Sequence, residues 1–162
     1  MIPTDQVTIS DSLILIAEDN AITIQLLQSF LKKEGLKSIT CSNGIAALSL
    51  AKEKNPDLIL MDVMMPKMDG YETCKRIKQD ETLQHIPVVF LTAKVEETDK
   101  VRGFEVGGVD YITKPFAKTE VMVRIKTQLK LKKAADKLIN YTERLEALVN
   151  KDDVQDELGM VS

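Results

Sequence analysis

Three acids, a hydroxyl and a lysine stand out in this chain: Glu18, Asp19, Asp62, Thr92 and Lys114. Each falls where a short apolar run ends. LILIA (13–17) leads into Glu18-Asp19-Asn20, LILM (58–61) into Asp62, PVVFL (87–91) into Thr92, and Val109–Thr113 into Lys114. Three carboxylates brought together repel one another and call for a cation. With oxygen ligands only, that ion would be hard, Mg2+ with Mn2+ as the alternative. A metal ion, a lysine and a hydroxyl are the parts that hold a phosphoryl group in transfer. Taken singly, the residues are ordinary. Glu18 and Asp19 could cap the helix that follows them, Thr92 could be a plain strand end and Lys114 a surface lysine. Asp62 is harder to set aside, because the run Leu58–Met61 precedes it directly. Their shared place at strand ends favours chemistry. His85 is the only histidine, which excludes multi-histidine metal sites and leaves it as a surface-loop residue.

The elements that would carry these residues alternate. Leu13–Ala17 reads as a strand. Ile22, Leu26, Leu27, Phe30 and Leu31 then fall at helical spacing, and Gly35 sits where a helix stops. Lys37–Cys41 reads as a strand, Ile45 to about Asn55 as a helix, and Leu58–Met61 as a strand. After a loop with Pro66 and Gly70, Tyr71–Lys78 reads as a helix. Pro87–Leu91 is a strand, Val95–Val106 a helix ended by Gly107-Gly108, and Val109–Thr113 a strand; a long helix starts near Ala117. Three strands are unbroken apolar runs, as expected of strands buried on both faces of a parallel sheet. The fold expected is a doubly wound, five-stranded α/β domain over residues 10–130. In such a sheet the carboxyl ends of the strands share one edge, where ligands bind, so the five polar residues should converge.

The pieces ILIAEDN (14–20), PDLILMDVMMPKMDG (56–70), VVFLTA (88–93) and DYITKPF (110–116) resemble the receiver domain of two-component response regulators. The resemblance implies the flavodoxin-like strand order 2-1-3-4-5. It implies that Asp62 is the phosphoacceptor, whose carboxylate attacks a phosphoryl group on a histidine kinase or phosphotransfer protein and becomes an acyl phosphate. Asp19 and Asp62 would bind Mg2+ with the backbone carbonyl of Met64. Glu18 would add charge, directly or through a water. Lys114 would pair with the phosphoryl group and Thr92 would hydrogen-bond it, while the small Ala93 leaves the donor access. Met64 and Lys94 stand at positions that tune how fast phosphate is lost. The Lys114-Pro115 bond resembles one that is cis in the family. Tyr111 occupies the family's switch position: phosphorylation would draw Thr92 toward the phosphate, and Tyr111 would turn inward into the space vacated. The last two helices and the strand between them would be the readout surface.

The last helix continues beyond a bare receiver. Ala117 to about Asn150 contains no Pro or Gly, and Leu131, Leu138 and Leu145 recur every seven residues with Ala134, Tyr141 and Leu148 three residues after each. This a/d pattern over 131–150 fits a parallel coiled coil pairing two receivers, a linker to an output domain missing from this chain, or a helix folded back on its own domain; the first two together are favoured. Residues 151–162 are acidic and aperiodic and are expected to be a disordered tail or a frayed end.

Composition narrows the function. Net charge is 22 − 25 = −3, which gives no reason to expect nucleic-acid binding. No apolar run reaches the roughly 20 residues of a membrane span, and the first twelve residues carry no basic signal-peptide region. Cys41 and Cys74 form no CxxC and fit a reducing cytoplasm. A haloacid-dehalogenase-type phosphatase would want a second aspartate two residues after Asp62, where this chain has Met64. The expectation is therefore a signalling module, not an enzyme; the alternative is a receiver-like binding module acting without phosphate.

Overall fold

The computed structural model describes residues 8–93 and 97–161. Five strands alternate with five helices: β1 (Leu13–Ala17), α1 (Ala21–Lys33), β2 (Lys37–Cys41), α2 (Gly44–Lys54), β3 (Leu58–Asp62), α3 (Gly70–Gln79), β4 (Val88–Thr92), α4 (Glu97–Glu105), β5 (Asp110–Thr113) and α5 (Lys118–Val161). All pairings are parallel, in the order β2-β1-β3-β4-β5.

Two cores explain the unbroken apolar strands. Successive side chains alternate between sheet faces. Ile14, Ile16, Leu58, Leu60, Val89, Leu91 and Ile112 pack under α1 and α5. Leu15, Ala17, Ile59, Met61, Val88, Phe90 and Tyr111 pack under α2 and α3. Both faces of β1, β3 and β4 are therefore dry, which leaves no position for an exposed polar residue until the strand ends. The outer strand β2 (KSITC) has no fully buried residue.

Helix starts follow local side-chain chemistry. Asn20, Asn43 and Asp69 each cap a helix by accepting backbone N–H groups, those of Ile22 and Thr23 for Asn20, Ala46 for Asn43 and Glu72 for Asp69. The cap of α1 is thus Asn20, so the role that Glu18 or Asp19 could have filled is taken by their neighbour. Asp62 and Thr92 close their strands as the last paired residues instead of following them. The last helix runs past Asn150 to Val161, so the segment expected to be disordered or frayed is helical up to that residue. Lys94 lies outside the described residues. No helix among the described residues is long and apolar enough to cross a membrane.

Candidate functional site

Register brings the five residues together. Ala17 pairs with Met61, so the next residues along, Glu18 and Asp62, leave adjacent strands side by side. Asp62 pairs with Leu91, which sets Thr92 one step on. Thr92 pairs with Thr113, and the Lys114 N–H donates to the Thr92 carbonyl at 2.8 Å. The Lys114-Pro115 bond is cis.

Carboxylate oxygens of Glu18, Asp19 and Asp62 all lie within 4.8 Å of one another. Glu18 is 0% and Asp62 5% exposed, whereas Asp19 is open to solvent. The Lys114 ammonium donates to both Glu18 oxygens, at 3.1 and 3.3 Å, and stands 3.6 Å from Asp62 Oδ2. The Met64 N–H donates to Asp62 Oδ1 at 3.3 Å, while the Met64 residue itself is 77% exposed. Burial first, then the neighbouring Asp62, push the Glu18 carboxyl up to about 7, against the pull of Lys114. An acid so raised marks an excess of negative charge in a dry place. A hard cation with oxygen ligands fits such a donor set.

Gly70 lets the loop after β3 fold tightly under the acid. A Cβ there would stand 2.2 Å from the Asp62 carbonyl oxygen, so only glycine allows the first turn of α3 to lie against the backbone of Asp62. The acids, Thr92 and Lys114 line a cleft of about 650 Å3, and Tyr71, Asp99 and Arg102 line it with them.

The part that Tyr71, Asp99 and Arg102 play was not legible in the sequence. Tyr71 donates to the Asp99 carbonyl at 3.1 Å, the Tyr111 hydroxyl donates to the same carbonyl, and the two hydroxyls are 3.5 Å apart. Phe90 packs against both rings, its centroid 5.2 Å from that of Tyr71 and 5.5 Å from that of Tyr111. The Arg102 guanidinium covers the Tyr71 ring at 4.6 Å. Tyr111 therefore already points inward, and burial holds its phenol well above the usual range. A lone tyrosine at a helix start carries no pattern that would have disclosed this.

Gly103 makes room for the Tyr111 hydroxyl, since a Cβ there would stand 1.9 Å from it. Gly103→Ala is expected to raise the helix propensity of α4 yet lower stability by about 1–3 kcal/mol, because the ring has to leave its pocket. Tyrosine fluorescence quenching should show Tyr111 newly accessible in an otherwise folded protein. An unquenched Tyr111 would mean that the space is not needed.

Comparison with known proteins agrees with this geometry. The family described as the response regulator receiver domain matches residues 14–126. The chain belongs to that family: it is a receiver domain of the two-component response regulators, extended by a long last helix. It is 46% identical over 117 residues to the alkaline phosphatase synthesis transcriptional regulatory protein PhoP of Bacillus subtilis, covering 72% of this chain and 48% of PhoP. It is 38% identical over 125 residues to the response regulator PleD of Caulobacter vibrioides, covering 77% of this chain and 28% of PleD. The chain thus spans half or less of these two relatives. Among solved structures, a putative response regulator from Chloroflexus aurantiacus superposes with a TM-score of 0.71 at 32% identity, over 74% of this chain and 98% of that one. The receiver domain of a Pseudomonas aeruginosa sensor histidine kinase, whose active-site cleft holds a magnesium ion, superposes with a TM-score of 0.69 at 28% identity, over 74% and 98%.

Proposed function

We propose that this chain accepts a phosphoryl group from a histidine kinase or phosphotransfer protein onto Asp62. The observation that carries this is the grouping of Asp62 with two further acids within 4.8 Å and with the Lys114 ammonium at 3.6 Å. An Asp62 oxygen attacks phosphorus, the phosphorus–nitrogen bond to the donor imidazole breaks, and the imidazole leaves with the electron pair. The product is an acyl phosphate. Lys114 then faces the new phosphoryl oxygens and Thr92 donates its hydroxyl to them. Asp19, Asp62 and the Met64 carbonyl would hold Mg2+, with Glu18 adding charge behind them. That ion supplies neutralisation of the oxygens in transfer when bound. No turnover of an external substrate is needed, so the chain works as a signalling module and not as an enzyme, in the cytoplasm where its kinase acts.

The phosphate adds about −2 charge. It shifts the domain only by the difference in its interactions between two states. Thr92 drawn to the phosphate vacates space that the inward-pointing Tyr111 can fill, and the change reaches partners or a second copy through α4, β5 and α5.

Acetyl phosphate with Mg2+ should add one phosphoryl group per chain, seen as a mass shift that hydroxylamine reverses. Removing divalent cations with a chelator should slow uptake by ~100-fold or more, the several kcal/mol that a metal contributes to such charge. Uptake at an undiminished rate in the chelator would contradict the role of the acid cluster.

A further inference from the structure

We infer that Arg102 selects the phosphodonor: its guanidinium takes hold of the dianionic phosphoryl group of a free acyl phosphate in the cleft, ahead of transfer to Asp62. This rests on the phosphoacceptor reading above and adds a class of small-molecule donor to it.

Arg102 stands on α4 and lines the same cleft as Asp62 and Lys114. Two contacts join it to the phosphoacceptor. Gly70 lies against the Asp62 carbonyl, and the next residue, Tyr71, has its ring covered by the guanidinium at 4.6 Å. Asp99 comes three residues earlier on the same helix, a spacing at which an aspartate and an arginine can pair. The guanidinium nevertheless makes no ion pair or hydrogen bond among the described residues; its contact is with the ring. A guanidinium lying on an aromatic ring keeps its N–H donors, fixed in its own plane, for a phosphate.

The charge of the cleft makes those donors matter. Among the described residues that line it, five are carboxylates (Glu18, Asp19, Asp62, Asp69 and Asp99) and two are cations, Lys114 and Arg102. Lys114 is engaged with Glu18 and Asp62. An incoming dianion thus meets a largely negative wall in which Arg102 is the cation with uncommitted donors. A cleft focuses such a charge on what enters it, and hydrogen bonds from a guanidinium to phosphoryl oxygens are of the strong, charge-assisted kind. A donor with a single net negative charge gains less from the same cation.

Acetyl phosphate, dianionic at neutral pH, and phosphoramidate, monoanionic there, separate the two cases. Each gives its phosphoryl group to an Asp62 oxygen. Acetate leaves the first with the electron pair of the broken phosphorus–oxygen bond, and ammonia leaves the second with that of the phosphorus–nitrogen bond. Uptake with Mg2+ should be followed by mass in the full chain as wild type, Arg102→Gln and Arg102→Lys. Arg102→Gln is expected to slow uptake from acetyl phosphate about 10-fold and from phosphoramidate by no more than ~3-fold. Arg102→Lys should keep most of the wild-type preference. Equal slowing with both donors, undiminished uptake from acetyl phosphate in Arg102→Gln, or a Lys variant as slow as the Gln variant would overturn the proposal. Wild type that takes phosphate from neither donor would sink the Asp62 reading instead, and inorganic phosphate then decides on Arg102. Titrated into wild type, it should move the Arg102 Nε–Hε NMR resonance more than those of Arg76, Arg124 and Arg144. An Arg102 resonance that stays still would overturn the proposal whatever the uptake.

Discussion

Asp62→Asn is expected to abolish phosphoryl uptake, with a fall on the order of 10³-fold or more, while leaving the fold intact. The amide has nearly the shape of the carboxylate but offers no anionic nucleophile. Stability should not suffer. Asp62 is one of three crowded acids, and Lys114 keeps its two contacts to Glu18. The Asp62 carboxylate is also one of the causes that raise Glu18 to about 7. With a neutral amide beside it, Glu18 should titrate lower, though burial still holds it above an ordinary carboxyl. Carboxyl NMR would follow this shift, and mass spectrometry with acetyl phosphate would follow the uptake. A variant that takes up phosphate as fast as wild type would contradict the assignment.

Lys114→Met is expected to make stability depend on added Mg2+. Lys114 is the cation that meets both Glu18 and Asp62. Its removal leaves two buried carboxylates facing each other. Breaking a fully buried pair costs about 3–5 kcal/mol; because the Lys114 side chain is 25% exposed, about 1–3 kcal/mol is expected here. The sign of the pH dependence follows from Glu18. Its unfolded carboxyl titrates near 4.5 and its folded one at about 7, so stability falls as pH rises between those values. Lys114 lowers the folded value, so the variant goes on losing stability above pH 7 where wild type levels off. The deficit should therefore be larger at pH 8 than at pH 6. A divalent cation supplies the missing positive charge, so Mg2+ should raise the Tm of the variant more than that of wild type. Equal melting of the two proteins at pH 8 in a chelator would show that the pair carries no weight.

Much of this site is written in the strand ends. Leu13–Ala17, Leu58–Met61 and Val88–Leu91 are apolar on both faces because each lies between two helix layers. A polar residue at the end of such a run has nowhere to go but the rim, and a parallel sheet gathers those rims at one edge. Glu18, Asp62, Thr92 and Lys114 were legible for that reason. Asn20 was less so, since three adjacent polar residues compete for one cap and only geometry decides. The shared carbonyl of Asp99, reached by Tyr71 and Tyr111 from different elements, depends on how α4 lies over the sheet. No local pattern encodes that. The extension of α5 past Asn150 has another cause. Once a helix is nucleated, each further residue adds a hydrogen bond at little cost, so an acidic stretch with no regular apolar period can prolong it.

The central claim is a phosphoryl group on one particular oxygen-bearing side chain. The acyl phosphate formed from acetyl phosphate and Mg2+ can be reduced with borohydride, which turns the modified aspartate into homoserine, and the chain can then be mapped by peptide mass spectrometry. Homoserine at position 62 and nowhere else is the expected result. Homoserine at position 19, the corresponding reduced residue at position 18, or no reduction product in a protein that binds Mg2+ would contradict the account.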